Sequence, residues 1–189
     1  MSAPKAKPPD PEVCRRCAAA GPTCCTLSPG QEEFCFPLSL AEKERMQELL
    51  PDTGGFVLQD NGKAFVDSVA RLFPGEEGLV RGIFPQHRQH FRLAVAANGD
   101  CRFLGPNGCL LPAEARPYYC RLYPFWITNE RITCFDSPRF LARRDARGPG
   151  EMIALLGTSA AAIRDLHGRL RLAWGFPPRP GMPAVSKRF

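Results

Sequence analysis

The stretch 14-CRRCAAAGPTCC-25 decides how the rest of this sequence is interpreted, because four of its twelve residues are cysteines. Cys14 and Cys17 form a CxxC pair, and Cys24 and Cys25 are adjacent. Thiols at this density form disulfides, carry out redox chemistry or bind metal. The surrounding sequence has to decide among these three uses.

The composition argues against a disulfide framework. The 189 residues fit one domain. Residues 1–12 lack the apolar core of a signal peptide, and no window approaches the roughly 20 apolar residues of a membrane span. We therefore expect a cytoplasmic protein without a membrane association, in a compartment that keeps thiols reduced. The nine cysteines are also an odd number and cannot all pair within the chain, which favours metal ligands or catalytic groups.

The charge of the chain is moderately basic, with 25 Lys and Arg against 19 Asp and Glu and a net charge of +6. This charge permits a nucleic-acid or acidic partner, but a solvated surface explains it as well. We predict the solvated surface and do not favour nucleic acid as a partner. Much of the excess lies late in the chain, in Arg139, Arg143, Arg144, Arg147, Arg164, Arg169, Arg171, Arg179, Lys187 and Arg188.

Three segments away from the cysteines indicate regular structure. Ser39 followed by Glu42 is typical of a capping box and predicts a helix over residues 40–50. From Phe56 onward two alternatives stay open, a hairpin around the turn signal 60-DNG-62 or a helix over residues 63–73. Residues 150–175 predict one amphipathic helix whose apolar stripe packs in the core. That stripe comprises Met152, Leu156, Ile163, Leu166, Leu170 and Trp174.

The later cysteines each fall at a predicted structural boundary. The alternation around Asn98-Gly99 predicts a hairpin with a type I′ turn and Cys101 on its second strand. The turn 105-GPNG-108 is followed directly by Cys109. Pro117 and Pro124 limit the helix that carries Cys120 to about two turns, and residues 125–134 predict a hairpin that ends at Cys134. Such irregular positions allow thiolates to converge without a large core.

Metal chemistry accounts for these residue types. Thiolates are soft donors that suit zinc, iron–sulfur clusters and Cu(I). The side chains of adjacent residues point in different directions. Cys24 and Cys25 therefore either bind different irons of one cluster, or one of them binds the metal while the other packs or bridges. Small zinc ribbons use two separated pairs instead, which favours iron–sulfur over zinc. Cys35, in the apolar setting 33-EFCFPL-38, is predicted to be a small buried residue outside the site.

The order of these motifs resembles the YkgJ-like family of CxxCxxxCC cysteine-cluster proteins, described as zinc- or iron-chelating domains. The resemblance covers residues 14–25 and 101–134 and rests on the two cysteine pairs, 101-CRFLGPNGC-109 and 116-RPYYCRLYPFW-126. The chain departs from the pattern by the longer insertion 18-AAAGPT-23. The resemblance implies a metal ion or cluster held by Cys14, Cys17, Cys24, Cys25, Cys101, Cys109, Cys120 and Cys134.

Other residues near these motifs have competing interpretations. Guanidinium groups favour thiolate over thiol, so that Arg116 and Arg121 are candidates to support the metal ligands, although surface positions stay open for both. His87 and His90 form an HxxH pair in a segment that we predict to be solvated rather than ligating. The aromatic run is predicted to pack and to shield the metal site rather than to stack nucleobases. It consists of Tyr118, Tyr119, Tyr123, Phe125 and Trp126.

The sequence thus predicts an α+β fold, a small irregular single domain over residues 13–175. Short hairpins and helices surround a cysteine-ligated metal centre, followed by the C-terminal amphipathic helix. Residues 1–12 are predicted to be a disordered tail and residues 176–189 a Pro-rich tail. We expect an iron-binding protein, with iron as an Fe–S cluster, or a zinc-binding protein. Two alternatives stay open, a zinc-stapled nucleic-acid or protein adaptor and an Fe–S-dependent redox or modification enzyme, although GxGxxG, GxxxxGK[ST], HExxH and GxSxG are all missing.

Overall fold

The computed structural model describes residues 13–21, 23–28, 30–51, 54–137 and 140–178. Over these residues, short helices alternate with two-stranded antiparallel sheets, which confirms the predicted mixture of helix and strand. No helix in the described ranges is long and apolar enough to cross a membrane. The predicted N-terminal tail lies outside the described residues, as do residues 179–189 of the predicted C-terminal tail.

The first half of the chain is mainly helical and the second half alternates hairpins with helices. The elements in chain order are α1 (Val13–Ala20), a 3₁₀ turn (Glu32–Phe34), α2 (Leu40–Leu49), β1 (Phe56–Asp60), α3 (Lys63–Leu72), α4 (Glu77–Ile83), β2 (Gln89–Leu93), β3 (Leu104–Gly105), β4 (Gly108–Cys109), α5 (Tyr118–Leu122), β5 (Phe125–Thr128), β6 (Arg131–Cys134), α6 (Ala142–Asp145), α7 (Pro149–Leu155) and α8 (Ala160–Trp174). A two-stranded sheet is marginally stable alone, so these three sheets depend on the helices that they pack against.

The predicted helix over residues 40–50 is confirmed as α2, together with its capping box. The Ser39 hydroxyl accepts from the Glu42 backbone N–H at 3.3 Å, and the Ser39 N–H donates to the Glu42 carboxylate at 3.0 Å. Of the two alternatives after Phe56, the hairpin is wrong and the helix is correct. Strand β1 pairs with the distant β2, and Gly62 caps the start of α3.

The single C-terminal helix predicted over residues 150–175 is wrong. Helix α7 ends at Leu155 and α8 begins at Ala160. Between them Gly157 has a left-handed φ of 61°, and the Ser159 hydroxyl accepts from the Ala162 N–H at 3.1 Å. A glycine that ends one helix and a serine that caps the next outweigh the continuous apolar period. The stripe itself does face the core, where Met152, Ile163, Leu170 and Trp174 are buried.

The larger hydrophobic cluster, here called the aromatic core, joins α3, α4, α7 and α8 to the β5–β6 hairpin. Trp126 on β5 packs edge-on against Phe73 with ring centroids 5.5 Å apart. The β5–β6 hairpin was predicted and is confirmed, and its turn places Asn129 and Glu130 at positive φ. Phe176 is also buried and lies 4.4 Å from the Phe73 ring, so the packed structure continues into the segment predicted as a tail.

Arg171 on α8 was predicted to be part of a solvated surface, and that prediction is wrong. Its side chain is 2 % exposed and makes two contacts with the Glu76 carboxylate, at 2.6 and 2.7 Å. The guanidinium also lies over the rings of Phe73 and Phe176. The helical period of apolar residues predicts which face of a helix is buried, but it does not show that a charged residue is buried on that face. It therefore could not predict that Arg171, next to Leu170 and three residues before Trp174, is buried in an ion pair.

The HxxH segment divides between solvent and core. His87 is exposed, whereas His90 on β2 is buried, which corrects the prediction that the segment is solvated. The His90 ring stacks on Phe65 at 3.9 Å, and its Nδ1 lies 2.7 Å from the Asn61 side-chain oxygen. Burial lowers the pKa of His90 to about 4, with the charge of Arg92 acting in the same direction. His90 therefore has a packing role beside the aromatic core.

Candidate metal centre

The thiols converge on a cavity of about 120 Å³ that we call the thiol cavity. Its other lining residues are mostly apolar, among them Leu93, Phe103, Leu111 and Phe140. Six of the eight predicted ligands line it: Cys17, Cys24, Cys25, Cys101, Cys109 and Cys120. Cysteines as far as 103 positions apart in sequence, Cys17 and Cys120, are brought to one cavity.

The adjacent pair is held in place by backbone hydrogen bonds to the segment around Cys101. The Leu27 N–H donates to the Gly99 carbonyl and the Cys101 N–H donates to the Cys25 carbonyl, both at 2.9 Å. The Thr26 hydroxyl adds a bond of 2.6 Å to the Asp100 carboxylate. These bonds place Cys25 and Cys101 opposite each other beside an antiparallel bridge between Thr26 and Asp100.

The loop that carries Cys101 is a hairpin turn, but its predicted type is wrong. A type I′ turn needs positive φ at both central residues, whereas only Gly99 of the Asn98-Gly99 pair has it, at +86°. The Gly99 N–H donates to the Ala96 carbonyl at 2.9 Å, and the Ala96 N–H donates to the Asp100 carbonyl at 2.8 Å. This pattern is a three-residue loop with a left-handed glycine at its end. Regular pairing is limited to a bridge around Cys101.

Three of the cavity thiols accept hydrogen bonds from backbone N–H groups. The Leu141 N–H lies 3.4 Å from Cys17 Sγ. The N–H of Phe103 donates to Cys101 and that of Leu111 donates to Cys109, in each case from two residues farther along the chain. Hydrogen bonds to the charged form of an acid stabilise that form, so the contacts at Cys101 and Cys109 offset part of the cost of burying their thiolates.

Cys120 lies on the short helix α5, as predicted, with Pro117 at its N-cap. The start of this helix is fixed by Glu42, a carboxylate that is 1 % exposed and accepts from the Tyr118 N–H at 2.7 Å. The same carboxylate closes the capping box of α2 with Ser39. Glu42 thus connects α2 to the helix that positions Cys120. The capping-box signature predicted only the local half of this role, because the second partner lies 76 residues away.

Electrostatics divides the cavity thiols into two kinds. Burial raises the pKa of Cys101 to about 12 and the pKa of Cys120 well above its ordinary value, and it also raises the pKa of Cys109. The pKa of Cys25 is instead lowered to about 7, chiefly by its contact with Cys24. Buried neutral thiols are readily deprotonated only together with a bound cation. The cavity is therefore suited to thiolates that form as a metal enters.

The two candidate arginines occupy different environments. Arg116 lines the thiol cavity, and its Nε donates to the Leu111 carbonyl at 2.9 Å. Its charge adds to the effect of Cys24 in lowering the pKa of Cys25. At Cys109, its charge and a hydrogen bond from its guanidinium offset part of the burial that raises the pKa of that thiol. Arg121 is exposed, lies over the Tyr118 ring at 5.8 Å and is not among the residues that line the cavity. Geometry that can support thiolates is found at Arg116.

The remaining cysteines are placed apart from these six. Cys134 ends β6 opposite Phe125 and packs against the aromatic core, outside the lining of the cavity. Cys35 is half-buried, and burial raises its pKa. Cys14 lies on α1, and its side chain is outside the described part of the chain. The roles predicted for Cys14 and Cys134 as ligands stay predictions.

The sulfurs are gathered but not closed around a point. Among the described residues, no three His, Cys, Asp or Glu side chains are placed to hold one metal ion. Cys24 and Cys25 were expected to diverge, yet both line the cavity with Sγ atoms 4.0 Å apart. Two thiolates on one tetrahedral zinc would be roughly 3.8 Å apart, given a Zn–S length of about 2.3 Å. This pair therefore fits a metal, and the other thiols would have to move toward it.

Comparisons with known proteins supply no family assignment. No family model, no curated protein and no solved structure matches this chain. The resemblance of its cysteine pattern to the YkgJ-like proteins remains a prediction, and the function has to be argued from the residues themselves.

Proposed function

We propose that this protein binds iron through the thiol cavity, as an iron–sulfur cluster or as iron, with zinc as the close alternative. The observation that carries the proposal is the gathering of six thiols on one mostly apolar cavity. Both iron–sulfur clusters and structural zinc are held by four cysteine thiolates. The cavity offers more thiols than either group needs, and its donor set is soft throughout.

The surrounding residues support this use of the thiols. Backbone N–H groups donate to Cys17, Cys101 and Cys109, and Arg116 contributes a positive charge beside Cys25. These groups stabilise thiolates without competing as ligands. When bound, a cluster would supply one-electron redox chemistry, whereas zinc would supply a cross-link.

Metal binding should also stabilise the fold. The six thiols come from α1, the turn at residues 23–26, the segment 101–109 and α5. One metal group shared by these segments would add a link between parts of the chain that lie far apart in sequence. Binding free energy then becomes folding free energy, and removal of the metal with a chelator should lower the melting temperature.

The first test is to purify the protein without oxygen, record its visible spectrum and measure iron, sulfide and zinc per chain. A coloured protein with matched iron and sulfide would establish the cluster, and iron without sulfide would establish bound iron. A colourless protein with stoichiometric zinc would establish the alternative. A protein with neither metal, which also fails to take up iron or zinc on reconstitution, would refute the proposal.

The second test asks which thiols bind. Cys120→Ser should lower both the metal content and the melting temperature, because Cys120 lines the cavity. Cys35→Ser is the matched control, since Cys35 is half-buried but does not line the cavity, and it should keep its metal. Full occupancy with unchanged melting in Cys120→Ser would remove Cys120 from the ligand set. The same measurement on Cys134→Ser decides whether that predicted ligand binds at all.

A further inference from the structure

The pair Cys24 and Cys25 differs from the other described cysteines in exposure and in spacing. Cys24 is the exposed one, while the others are half-buried or buried. Its Sγ lies 4.0 Å from the Sγ of Cys25. An oxidant in solution therefore reaches Cys24 before the other described thiols, and a thiol close enough to resolve the product is its own neighbour.

The backbone of this pair is held in a turn by two hydrogen bonds. Cys24 and Cys25 are the central residues of a turn in which the Thr26 N–H donates to the Thr23 carbonyl at 3.1 Å. The Thr23 hydroxyl also accepts from the Cys25 N–H at 3.0 Å. A disulfide needs the sulfurs about 2.05 Å apart, so that from 4.0 Å both side chains must rotate and the turn must adjust for the bond to form.

We propose that Cys24 and Cys25 form an oxidative modification site, at which a hydroperoxide converts the pair into a reversible vicinal disulfide. In the first step the Cys24 sulfur attacks the peroxide, so that an S–O bond forms, the O–O bond breaks and water or an alcohol leaves. In the second step the Cys25 thiolate attacks the sulfur of this sulfenic acid and a second water leaves. Two thiols are oxidised to one disulfide, and the peroxide is reduced by two electrons.

Reversibility follows from the covalent geometry of adjacent residues. Consecutive Cα atoms are about 3.8 Å apart, which is shorter than the roughly 4.4–6.8 Å usual for disulfides. Strained disulfides are more easily reduced, and such bonds are typically regulatory rather than structural. A vicinal disulfide would also withdraw two thiols from the cavity, and this last consequence alone rests on the proposed metal-binding function.

The test is to treat the full-length protein with an equimolar amount of hydrogen peroxide, alkylate the remaining thiols and map the cysteines by mass spectrometry. Trypsin releases residues 17–43 as one peptide containing Cys17, Cys24, Cys25 and Cys35. We expect the loss of two thiols per chain and a peptide mass lower by two hydrogen atoms. Within this peptide, only Cys17 and Cys35 should be alkylated. A dithiol reductant should restore both thiols. A disulfide that joins Cys25 to another cysteine, or no disulfide at all, would overturn the proposal.

Variants separate this site from general thiol oxidation. Cys24→Ala and Cys25→Ala should each prevent the peroxide-dependent loss of two thiols from the peptide. Cys35→Ala, in the same peptide, should still lose two thiols. Persistence of the loss in Cys24→Ala would also overturn the proposal. The mapping is done before and after a chelator removes any metal, and formation of the bond in either sample supports the site. Metal content is measured on the untreated protein, so failure of the disulfide and failure of metal binding are distinguished.

Discussion

The aromatic core and the thiol cavity are built in different ways. The aromatic core is a set of helices and one hairpin whose large side chains bury one another, as Phe65, Phe73 and Trp126 show. The thiol cavity is formed mainly by turns, the helices α1 and α5 and the two-residue strands β3 and β4. Burial of aromatic and aliphatic surface drives folding in the first region. The second region has a smaller hydrophobic cluster, which includes Phe103 and Leu111, and depends as well on particular hydrogen bonds and, under the proposed function, on a metal.

This difference predicts that damage to the two regions has different signatures. A substitution in the aromatic core should lower the free energy of unfolding while the folded fraction keeps its metal. A substitution that separates the segments around the cavity should lower metal content as well. The two variants that follow test this division, and the pH dependence of His90 tests the strand between the regions.

The largest effect is expected for Arg171→Met, which breaks the ion pair with Glu76. Arg171 is almost fully buried and the Glu76 side chain is 20 % exposed. Removing one partner of a buried ion pair typically costs 3–5 kcal/mol, and the partial exposure of Glu76 places the expected loss near the lower end, about 3 kcal/mol. Urea unfolding of the variant measures this loss. Metal content per folded chain should be unchanged.

Arg164→Met provides the matched control for that substitution. Arg164 lies on the same helix, is exposed and, among the described residues, donates to the Ala160 carbonyl of the preceding turn alone. Exposed substitutions of this kind usually change stability by less than about 0.5 kcal/mol. Equal losses in the two variants would show that the Glu76 contact does not stabilise the aromatic core.

An intermediate effect is expected for Gly99→Ala. Gly99 has a φ of +86°, and a Cβ there would lie 2.1 Å from the Leu27 carbonyl oxygen. A residue forced into the left-handed region costs roughly 1–3 kcal/mol, and the overlap would also push the segment with Cys24 and Cys25 away from Cys101. We expect lower stability together with lower metal content. Urea unfolding and metal analysis on the same sample check both.

The control for Gly99→Ala is the same substitution at Gly82. Gly82 lies in α4, has no strained φ and has open space where a Cβ would be added. Alanine stabilises a helix by roughly 0.5–1 kcal/mol relative to glycine, so that Gly82→Ala should stabilise the protein and keep its metal. Loss of stability without loss of metal in Gly99→Ala would break the connection between this turn and the site.

Local signals in the sequence predicted local structure well. The Ser39–Glu42 capping box, the prolines around Cys120 and the hairpin before Cys134 all act over a few residues, and all three are present in the structure. The gathering of six cysteines was foreseen only through the resemblance of their spacing to a known pattern. Spacing carried that information because the six cysteines lie in a turn, just after a turn or on a short helix.

Long-range polar contacts could not be predicted in this way. The bonds of Glu42 to Tyr118 and of Arg171 to Glu76 join residues 76 and 95 positions apart. No periodicity marks such partners, because a charged side chain has the same pattern on a surface and in an ion pair. The pairing of β1 with β2 was missed for a related reason, since the turn signal at 60–62 serves both a hairpin and the start of a helix.

The smallest effect at neutral pH, and the one that tests the contact between the regions, concerns His90. Strand β2 joins them, because His90 stacks on Phe65 of the aromatic core and Leu93 lines the thiol cavity.

The unfolded chain takes up a proton near the ordinary pKa of 6.5, whereas the folded protein resists protonation until its lowered pKa of about 4. The unfolded state then binds more protons between these values, so stability is complete above pH 6.5 and falls as the pH drops toward 4. His90→Gln introduces an amide that can contact Asn61 and does not titrate. The urea midpoint of this variant should therefore fall less between pH 6.5 and 4 than that of the wild type. Parallel midpoints for the two proteins would mean that His90 is protonated in the folded state, and that the stack on Phe65 tolerates a charge.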